Sequence, residues 1–260
     1  MTSALLLFLL SQADAGAPPR GLTCLPNWYA GTVSFRADAG WGLQLENGVF
    51  VAWEARSEND GGVDGGVDPE GEEIPSLADI FDPPYVTGEI KPIDTSDAGP
   101  PVDPGRARVE ELFRATYGGK RNEVEPRLGR VRFFGLRYPF HERAVEALTR
   151  VVERLTGVVK TDPKALPFLK DIGGTFIWRN IKRSKRLSSH AFGIAIDLNV
   201  ERSDYWRWTY RGKPMIWKNR VPQAVVDAFE AEGFIWGGRW KHYDTMHFEY
   251  RPELLSPLCR

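Results

Sequence analysis

The stretch SSHAFGIAID, residues 188–197, decides how this chain folds, together with DTMHFE, residues 244–249. From Ile194, within the first stretch, to Val200, just beyond its end, side chains alternate between two faces, which predicts a short strand. The same alternation occurs in residues 247–250 of the second stretch. Two strands that pair side by side would bring polar side chains from both stretches onto one face of a small sheet.

Three side chains in these stretches are of metal-binding types: His190, Asp197 and His247. Two imidazoles and a carboxylate, with a fourth position left for water, are typical of a catalytic zinc site rather than a structural one. Asp244 lies three residues before His247, close to such a metal without having to bind it. The two stretches therefore predict a zinc site with a second carboxylate beside it.

Around these stretches the sequence predicts a mixture of helices and strands. Apolar residues recur at helical spacing in residues 109–117, and again in residues 139–157, a segment that Pro139 opens and Gly157 ends. Further elements are expected at 130–138 (strand), 173–179 (strand ending in Arg179) and 222–233 (helix).

The composition favours a soluble domain with a sizeable core and argues against nucleic acid as a partner. The chain has 260 residues, of which 42% are hydrophobic, enough to bury a core. Its 34 basic and 35 acidic residues give a net charge of -1. Nucleic-acid binding normally requires a strongly basic face.

The first residues resemble an export signal. Residues 4–10 form a short apolar run, and Ala13-Asp14-Ala15 fits a small-residue cleavage site. The run is much shorter than the ~20 apolar residues of a membrane-spanning helix. We therefore expect residues 1–15 to be a signal peptide, with a periplasmic or extracellular mature chain and no stable membrane insertion. The alternative is a frayed apolar N-terminus.

The segments that follow predict an N-terminal extension and a linker. Alternation in residues 28–54 predicts a β-rich extension that covers residues 16–55. Residues 57–82 carry nine acidic and no basic residues, which is typical of a solvated, mobile loop. With the Pro-rich residues after it, this loop forms an expected linker over residues 56–105.

Cys24 and Cys259 are the two cysteines of the chain and lie near the two ends of the mature sequence. In an oxidising compartment such a pair predicts a disulfide, because domain termini often lie close together. Closing so long a loop would contribute roughly 4–5 kcal/mol in the chain-entropy model. The alternative is two unrelated buried thiols.

Three motifs carry a resemblance to a known family. They are S-x-H-x-x-G-x-A-x-D at 188–197, D-x-x-H-F-E at 244–249 and F-I-W-G-G at 234–238. Together they resemble the M15 family of zinc D-alanyl-D-alanine carboxypeptidases and related peptidoglycan peptidases. The resemblance implies an α+β domain at residues 106–260, with a small central antiparallel sheet that carries the zinc and is flanked by helices.

The resemblance also implies roles for single residues. His190, Asp197 and His247 match the zinc ligands of the family, and Asp244 matches its catalytic carboxylate, which many relatives fill with Glu. Arg179 resembles the upstream arginine that binds substrate and polarises its scissile carbonyl.

Chemical reasoning agrees with these roles. A zinc ion in such a site lowers the pKa of its water toward about 7, and a neighbouring carboxylate can move the protons of hydrolysis. Ser188 and Glu249 are suited to hold the ligands in place. His242 either contacts substrate or only ends the Trp-rich loop. Trp236 is a further candidate for substrate contact; with Trp206, Trp208 and Trp240 it lines a groove or belongs to the core.

The sequence therefore predicts zinc-dependent hydrolysis of peptide bonds in peptidoglycan stem peptides, first of all as a D-alanyl-D-alanine carboxypeptidase. An L-alanyl-D-glutamate endopeptidase is the alternative within the same class, and a zinc peptidase of general dipeptides is a weaker one. The alternative from another class is a zinc-stabilised binding module that has lost hydrolysis. Retention of Asp244 and Arg179 beside the three ligands argues against that module.

Overall fold

The computed structural model describes residues 16–54, 75–95, 102–181, 184–210 and 215–259. The predicted export signal lies outside the described residues, and so does most of the predicted acidic loop. Within the described ranges, no helix is both long enough and apolar enough to cross a membrane.

The N-terminal part of the described chain forms a short helix and a three-stranded antiparallel sheet. The elements are α1 Arg20–Cys24, β1 Thr32–Arg36, β2 Gly40–Gln44 and β3 Phe50–Ala52, with the strands paired in the order β1-β2-β3. Gly42 allows the central strand β2 to lie close to β3. A Cβ at this position would lie only 2.3 Å from the backbone oxygen of Val51. Leu43 of β2 is fully buried and anchors this sheet to the core.

Residues 75–95 pack against the rest of the protein, although they belong to the segment expected to be an acidic linker. Leu77 and Ile80 are fully buried. The Tyr85 hydroxyl donates to Glu230 Oε1 at 2.6 Å and accepts from the Trp236 amide at 2.8 Å. Our expectation of a solvated loop is therefore wrong for residues 75–82, because apolar burial there outweighs the acidic composition. The domain limits themselves stay a prediction.

Two helices, a hairpin and a long helix come next. They are α2 Glu110–Tyr117, α3 Arg121–Val124, β4 Leu128–Phe133, β5 Leu136–His141 and α4 Glu142–Thr161. A hairpin replaces the single strand that we expect at 130–138. Phe134 and Gly135 both adopt positive φ, 39° and 113°, and turn the chain back on itself.

The long helix α4 continues four residues past Gly157, where the sequence predicts its end. A glycine inside a helix costs about 1 kcal/mol relative to alanine. Val158 and Val159 lie beyond it and pack against the core. These partly buried side chains favour continuation of the helix past the glycine through their tertiary contacts.

The C-terminal half of the chain builds a four-stranded antiparallel sheet. Its elements are α5 Leu166–Leu169, β6 Ile172–Gly174, β7 Ala195–Asn199, α6 Trp206–Thr209, α7 Gln223–Glu230, β8 Phe234–Trp236 and β9 His247–Tyr250. The strands lie in the order β6-β7-β9-β8, so the two strands of the metal-binding stretches are neighbours. Phe229 of α7 stacks on Phe248 of β9 with ring centroids 4.0 Å apart. The fold is α+β with small antiparallel sheets and helices, as the sequence indicates.

Strand β6 is shorter than the strand that we predict at 173–179. It ends at Gly174, whose φ of 133° is a conformation that L side chains rarely adopt. The next residue, Thr175, donates its hydroxyl to the Pro139 carbonyl at 2.6 Å. The chain therefore leaves the sheet there, and Arg179 lies in an irregular segment rather than at the end of a strand.

The predicted disulfide is present. Cys24 of α1 and Cys259 are bonded, with their Cα atoms 5.4 Å apart, and both residues are buried. Nearby, Tyr29 donates its hydroxyl to Glu253 at 2.9 Å. The two ends of the described chain are thus held together by one covalent bond and by a buried hydrogen bond.

His141 links the hairpin to α4, and its burial predicts a pH-dependent stability of the fold. Its Nδ1 accepts from the Arg143 amide and its Nε2 donates to the Tyr117 carbonyl, each at 3.2 Å, which requires a neutral ring. Burial and the nearby Arg127 charge lower the pKa of His141 to about 4. The unfolded chain therefore binds more protons between pH 4 and 6.5. We expect about 3 kcal/mol of stability that is present above pH 6.5 to be lost as the pH falls to 4.

Urea denaturation of the wild type and of His141→Asn across this pH range tests the expectation. Asparagine keeps an oxygen that can cap α4 but does not titrate. The unfolding free energy of the wild type should depend on pH more steeply than that of the variant. The difference between the two slopes should correspond to the uptake of about one proton. Equal slopes for the two proteins would exclude His141 as the cause.

Candidate metal centre

The register of the four-stranded sheet brings the predicted ligands together. Asp197 of β7 pairs directly with His247 of β9, so both side chains lie on one face. His190 lies on a short 3₁₀-helix, Ser189–Phe192, immediately before β7. Gly193 ends this helix with a φ of 68° and turns the chain into the strand.

The three side chains converge on one point. Ligand atoms of His190, Asp197 and His247 all lie within 4.8 Å of one another. Asp197 Oδ1 is 2.9 Å from His247 Nδ1 and 3.2 Å from His190 Nε2. Ligands bonded at about 2 Å to a tetrahedral ion lie roughly 3.3 Å apart, so the cluster has the dimensions of a zinc site.

The chemistry of the cluster also fits a metal ion. Among the described residues, His190 Nε2 is a buried nitrogen without a hydrogen-bond partner, and such buried polar atoms are uncommon in native proteins. His190 Nδ1 lies 2.9 Å from the Thr175 carbonyl and donates to it. This bond leaves the lone pair of Nε2 free for a metal.

His247 is held by two neighbours on the side away from the cluster. Its Nε2 lies 3.3 Å from Glu249 Oε2 and 3.4 Å from Ser189 Oγ. Ser188 acts one step further away, because its hydroxyl accepts from the His190 amide at 3.4 Å and caps the 3₁₀-helix. Glu249 and Ser188 thus contact the candidate ligands, and their role in holding a metal site stays a prediction. The contacts of Thr175 and Ser189 are not among those that the sequence predicts.

Arg108 anchors Glu249 from a distant part of the chain. Its Nε and Nη2 donate to the two carboxylate oxygens at 2.7 and 2.8 Å, and Glu249 is fully buried. Burial alone would raise the pKa of Glu249, but the Arg108 guanidinium and the His247 imidazole hold it well below its usual range. No local pattern in the sequence marks Arg108 for this role.

The electrostatics of the cluster favour a cation. Burial alone would lower the pKa of His247, but hydrogen bonds to Asp197 and Glu249 raise it to about 9. Burial alone would likewise raise the pKa of Asp197, yet His190 and His247 hold it well below its usual range. The two carboxylates therefore attract positive charge, which a metal ion could supply.

Asp244 lies in the same cleft as the cluster. Its Oδ1 is buried and, within the described part of the chain, has no hydrogen-bond partner. Burial and the charge of Asp197 raise the pKa of Asp244 to about 6. A carboxylate with a pKa near the working pH suits proton transfer.

The cluster opens into a cleft of about 160 Å³. The exposed Arg179 lines this cleft and bonds weakly to the Asn180 carbonyl at 3.4 Å. His242 also lines it, and its Nδ1 lies 2.9 Å from Asp103. Asp103 precedes His242 by 139 residues, and sequence patterns do not reveal this pairing.

The tryptophans divide between the cleft and the core. Trp206 and Trp240 line the cleft, whereas the Trp208 side chain is 48% exposed to solvent and does not line it. Trp236 is fully buried and donates its indole N–H to the Thr245 carbonyl at 3.0 Å. Its ring belongs to the core under the turn that precedes β9, so the structure gives no support to the prediction that Trp236 contacts substrate, which stays untested.

Residues 182–250 match the M15 peptidase family model that is described as D-alanyl-D-alanine carboxypeptidase. The matched region contains His190, Asp197 and His247, together with Asp244, whereas Arg179 precedes it. The resemblance inferred from the motifs is confirmed over this region.

Proposed function

We propose that this chain, a zinc metallopeptidase of the M15 type that acts on the cell wall, hydrolyses the terminal D-alanyl-D-alanine bond of peptidoglycan stem peptides. The observation that supports this proposal is the placement of Asp244 in one cleft with the His190, Asp197 and His247 cluster. A buried oxygen of Asp244 has no hydrogen-bond partner among the described residues. A binding module has no need of an unpaired carboxylate with a raised pKa.

In the proposed mechanism, His190 Nε2, His247 Nδ1 and Asp197 would hold a zinc ion. When bound, zinc acts as a Lewis acid and lowers the pKa of its water toward about 7. Asp244 is mostly ionised at pH 7, because its pKa is raised only to about 6, and it accepts a proton as water attacks the scissile carbonyl. The carbon–nitrogen bond then breaks, and Asp244 returns the proton to the leaving amine.

Arg179 assists from the wall of the cleft. Its guanidinium is exposed and bonds only weakly to its own chain. It would donate to the scissile carbonyl oxygen as negative charge develops there. The buried Glu249 and Arg108 pair would keep the His247 ring oriented during the reaction.

We also propose that the protein works in the periplasm or outside the cell. The stem peptides of peptidoglycan are found there, and the disulfide between Cys24 and Cys259 is of a kind that persists in an oxidising compartment.

Mass spectrometry of reaction products tests the proposed function. The zinc-loaded mature protein is incubated with muropeptides and with a free pentapeptide stem. We expect the pentapeptide to lose one alanine. A cut between L-alanine and D-glutamate would replace the carboxypeptidase by an endopeptidase. Absence of any product, with one zinc per chain, would contradict hydrolysis and favour a binding module.

A further inference from the structure

Four arginines line the cleft, and two of them have no acidic partner among the described residues. Arg108 is neutralised by Glu249, and Arg106 donates to Asp103 at 2.6 Å. The other two are Arg179 and Arg207, for which the described chain offers no ion pair. The cleft therefore contains two arginines that form no ion pair with the described residues, beside the carboxylates of Asp197 and Asp244.

Arg207 is the more constrained of these two side chains. Its Nε is buried and finds no hydrogen-bond partner in the described ranges. Its guanidinium carbon lies 5.0 Å from the centre of the Trp206 ring, a cation–π contact that restricts the side chain. Leaving a buried charged donor unpaired is unfavourable, and such groups often mark a site that is completed by a ligand.

The backbone of this segment is fixed relative to the candidate catalytic carboxylate. The Trp206 amide donates to the Tyr243 carbonyl at 3.0 Å, and Tyr205 forms a β-bridge with Asp244. Arg207 follows directly in the chain. Its guanidinium is therefore attached to the same short piece of structure that positions Asp244, rather than to an independent surface loop.

A planar guanidinium recognises carboxylates through paired hydrogen bonds. The volume of the cleft, about 160 Å³, is well below the ~300–1,000 Å³ of pockets that enclose drug-sized ligands. A cleft of this size suits the end of a peptide rather than its interior. A peptide that ends in a free carboxylate would provide the negatively charged partner that Arg207 does not find among the described residues.

We propose that Arg207 binds the free C-terminal carboxylate of the substrate and so restricts the enzyme to peptides with an unblocked C-terminus. This inference rests on the proposed function, in which Arg179 donates to the scissile carbonyl. Arg207 is then the other arginine of the cleft that can bind the terminal carboxylate. Arg207 is thus a specificity residue that touches the substrate, whereas Trp206 positions it.

Steady-state kinetics on two matched substrates test this role. One is a pentapeptide stem that ends in D-alanyl-D-alanine, and the other is the same peptide with a C-terminal amide. We expect the wild type to prefer the free acid in kcat/KM by about 10- to 100-fold, the value of a charged hydrogen-bonded pair. Arg207→Gln should lose this preference mainly through a higher KM for the acid, and Arg207→Lys should recover part of it.

Arg202→Gln is the matched control, because Arg202 is an exposed arginine near Arg207 that does not line the cleft. It should keep the preference of the wild type. All variants are first checked for one zinc per chain and for an unchanged thermal midpoint. Equal kcat/KM of the wild type for acid and amide, or an undiminished preference in Arg207→Gln, would overturn the proposal.

A binding measurement separates this inference from the proposed function. Calorimetric titration of N-acetyl-D-alanyl-D-alanine and of its amide uses Asp244→Ala protein, with and without Arg207→Gln. Tighter binding of the acid that depends on Arg207 would support the inference even if the wild type cleaves neither stem. Equal binding of acid and amide would reject it, whatever the outcome for hydrolysis.

Discussion

Asp244→Ala should lower kcat on the stem pentapeptide by about 10³-fold while the protein still binds one zinc per chain. General acid–base catalysis by a positioned side chain contributes about 10²- to 10⁴-fold, and Asp244 is the group beside the cluster with a buried, unpaired oxygen. Because it lies outside the three-residue cluster, its loss should leave the metal in place. The measurements are kcat by product release and zinc content by elemental mass spectrometry.

The stability of this variant gives a second readout. Burial and the charge of Asp197 raise the pKa of Asp244 to about 6, above its ordinary value of about 3.9. An acid with a raised pKa in the folded state destabilises the protein at neutral pH. The metal-free Asp244→Ala protein should therefore melt at a higher temperature than the metal-free wild type at pH 7, and this difference should shrink toward pH 4.

Two further variants make the catalytic test specific. Asp227→Ala removes an exposed carboxylate on α7 and should leave kcat unchanged. Asp244→Glu restores the longer carboxylate that many relatives use and should retain most of the turnover. Wild-type kcat in Asp244→Ala would remove Asp244 from the mechanism, and loss of zinc from that variant would make it a ligand instead.

His190→Ala should weaken zinc binding by at least about 10³-fold and abolish turnover. Structural zinc sites with four ligands provide roughly 10–16 kcal/mol of binding free energy, so one ligand accounts for several kcal/mol. His190 Nε2 is buried and aimed at Asp197 without a hydrogen bond, and no neighbouring side chain replaces it in the described cluster. Competition with a chromophoric chelator measures the affinity.

Thermal unfolding with and without zinc provides the control. Zinc that binds only the folded protein raises the melting temperature, so it should stabilise the wild type and leave His190→Ala nearly unchanged. His141→Asn, which alters another buried histidine that does not line the cleft, should respond to zinc as the wild type does. Wild-type zinc affinity in His190→Ala would refute the ligand assignment.

Local patterns in the sequence were sufficient to predict the centre of the site. Alternation along β7 and β9 indicates which side chains share a face, and a pairing of the two strands brings Asp197 opposite His247. The short spacing from His190 to β7 brings the third residue to the same place. These relations span a few residues along the chain or one strand pair, so periodicity and residue type determine them.

The surroundings of the site depended on contacts between distant parts of the chain. Arg108 reaches Glu249 across 141 residues, and Asp103 reaches His242 across 139. Thr175 contributes only a backbone carbonyl to His190, a contact that any residue type could make. No local pattern encodes such pairings, because they form only when separate segments bury their apolar faces against one core.

The sequence by itself thus determined the residue types of the candidate metal cluster, the strand pair that carries two of them and the closure by Cys24 and Cys259. The tertiary structure decided that residues 75–95 pack on the core and that Trp236 is buried. It also decided that Arg207 lines the cleft with an Nε that finds no hydrogen-bond partner among the described residues. The physical reason is that a side chain's period and chemistry are local properties. The burial and the partners of a side chain depend on how the whole chain packs. The free energy of that packing includes contacts between residues that are far apart in the sequence.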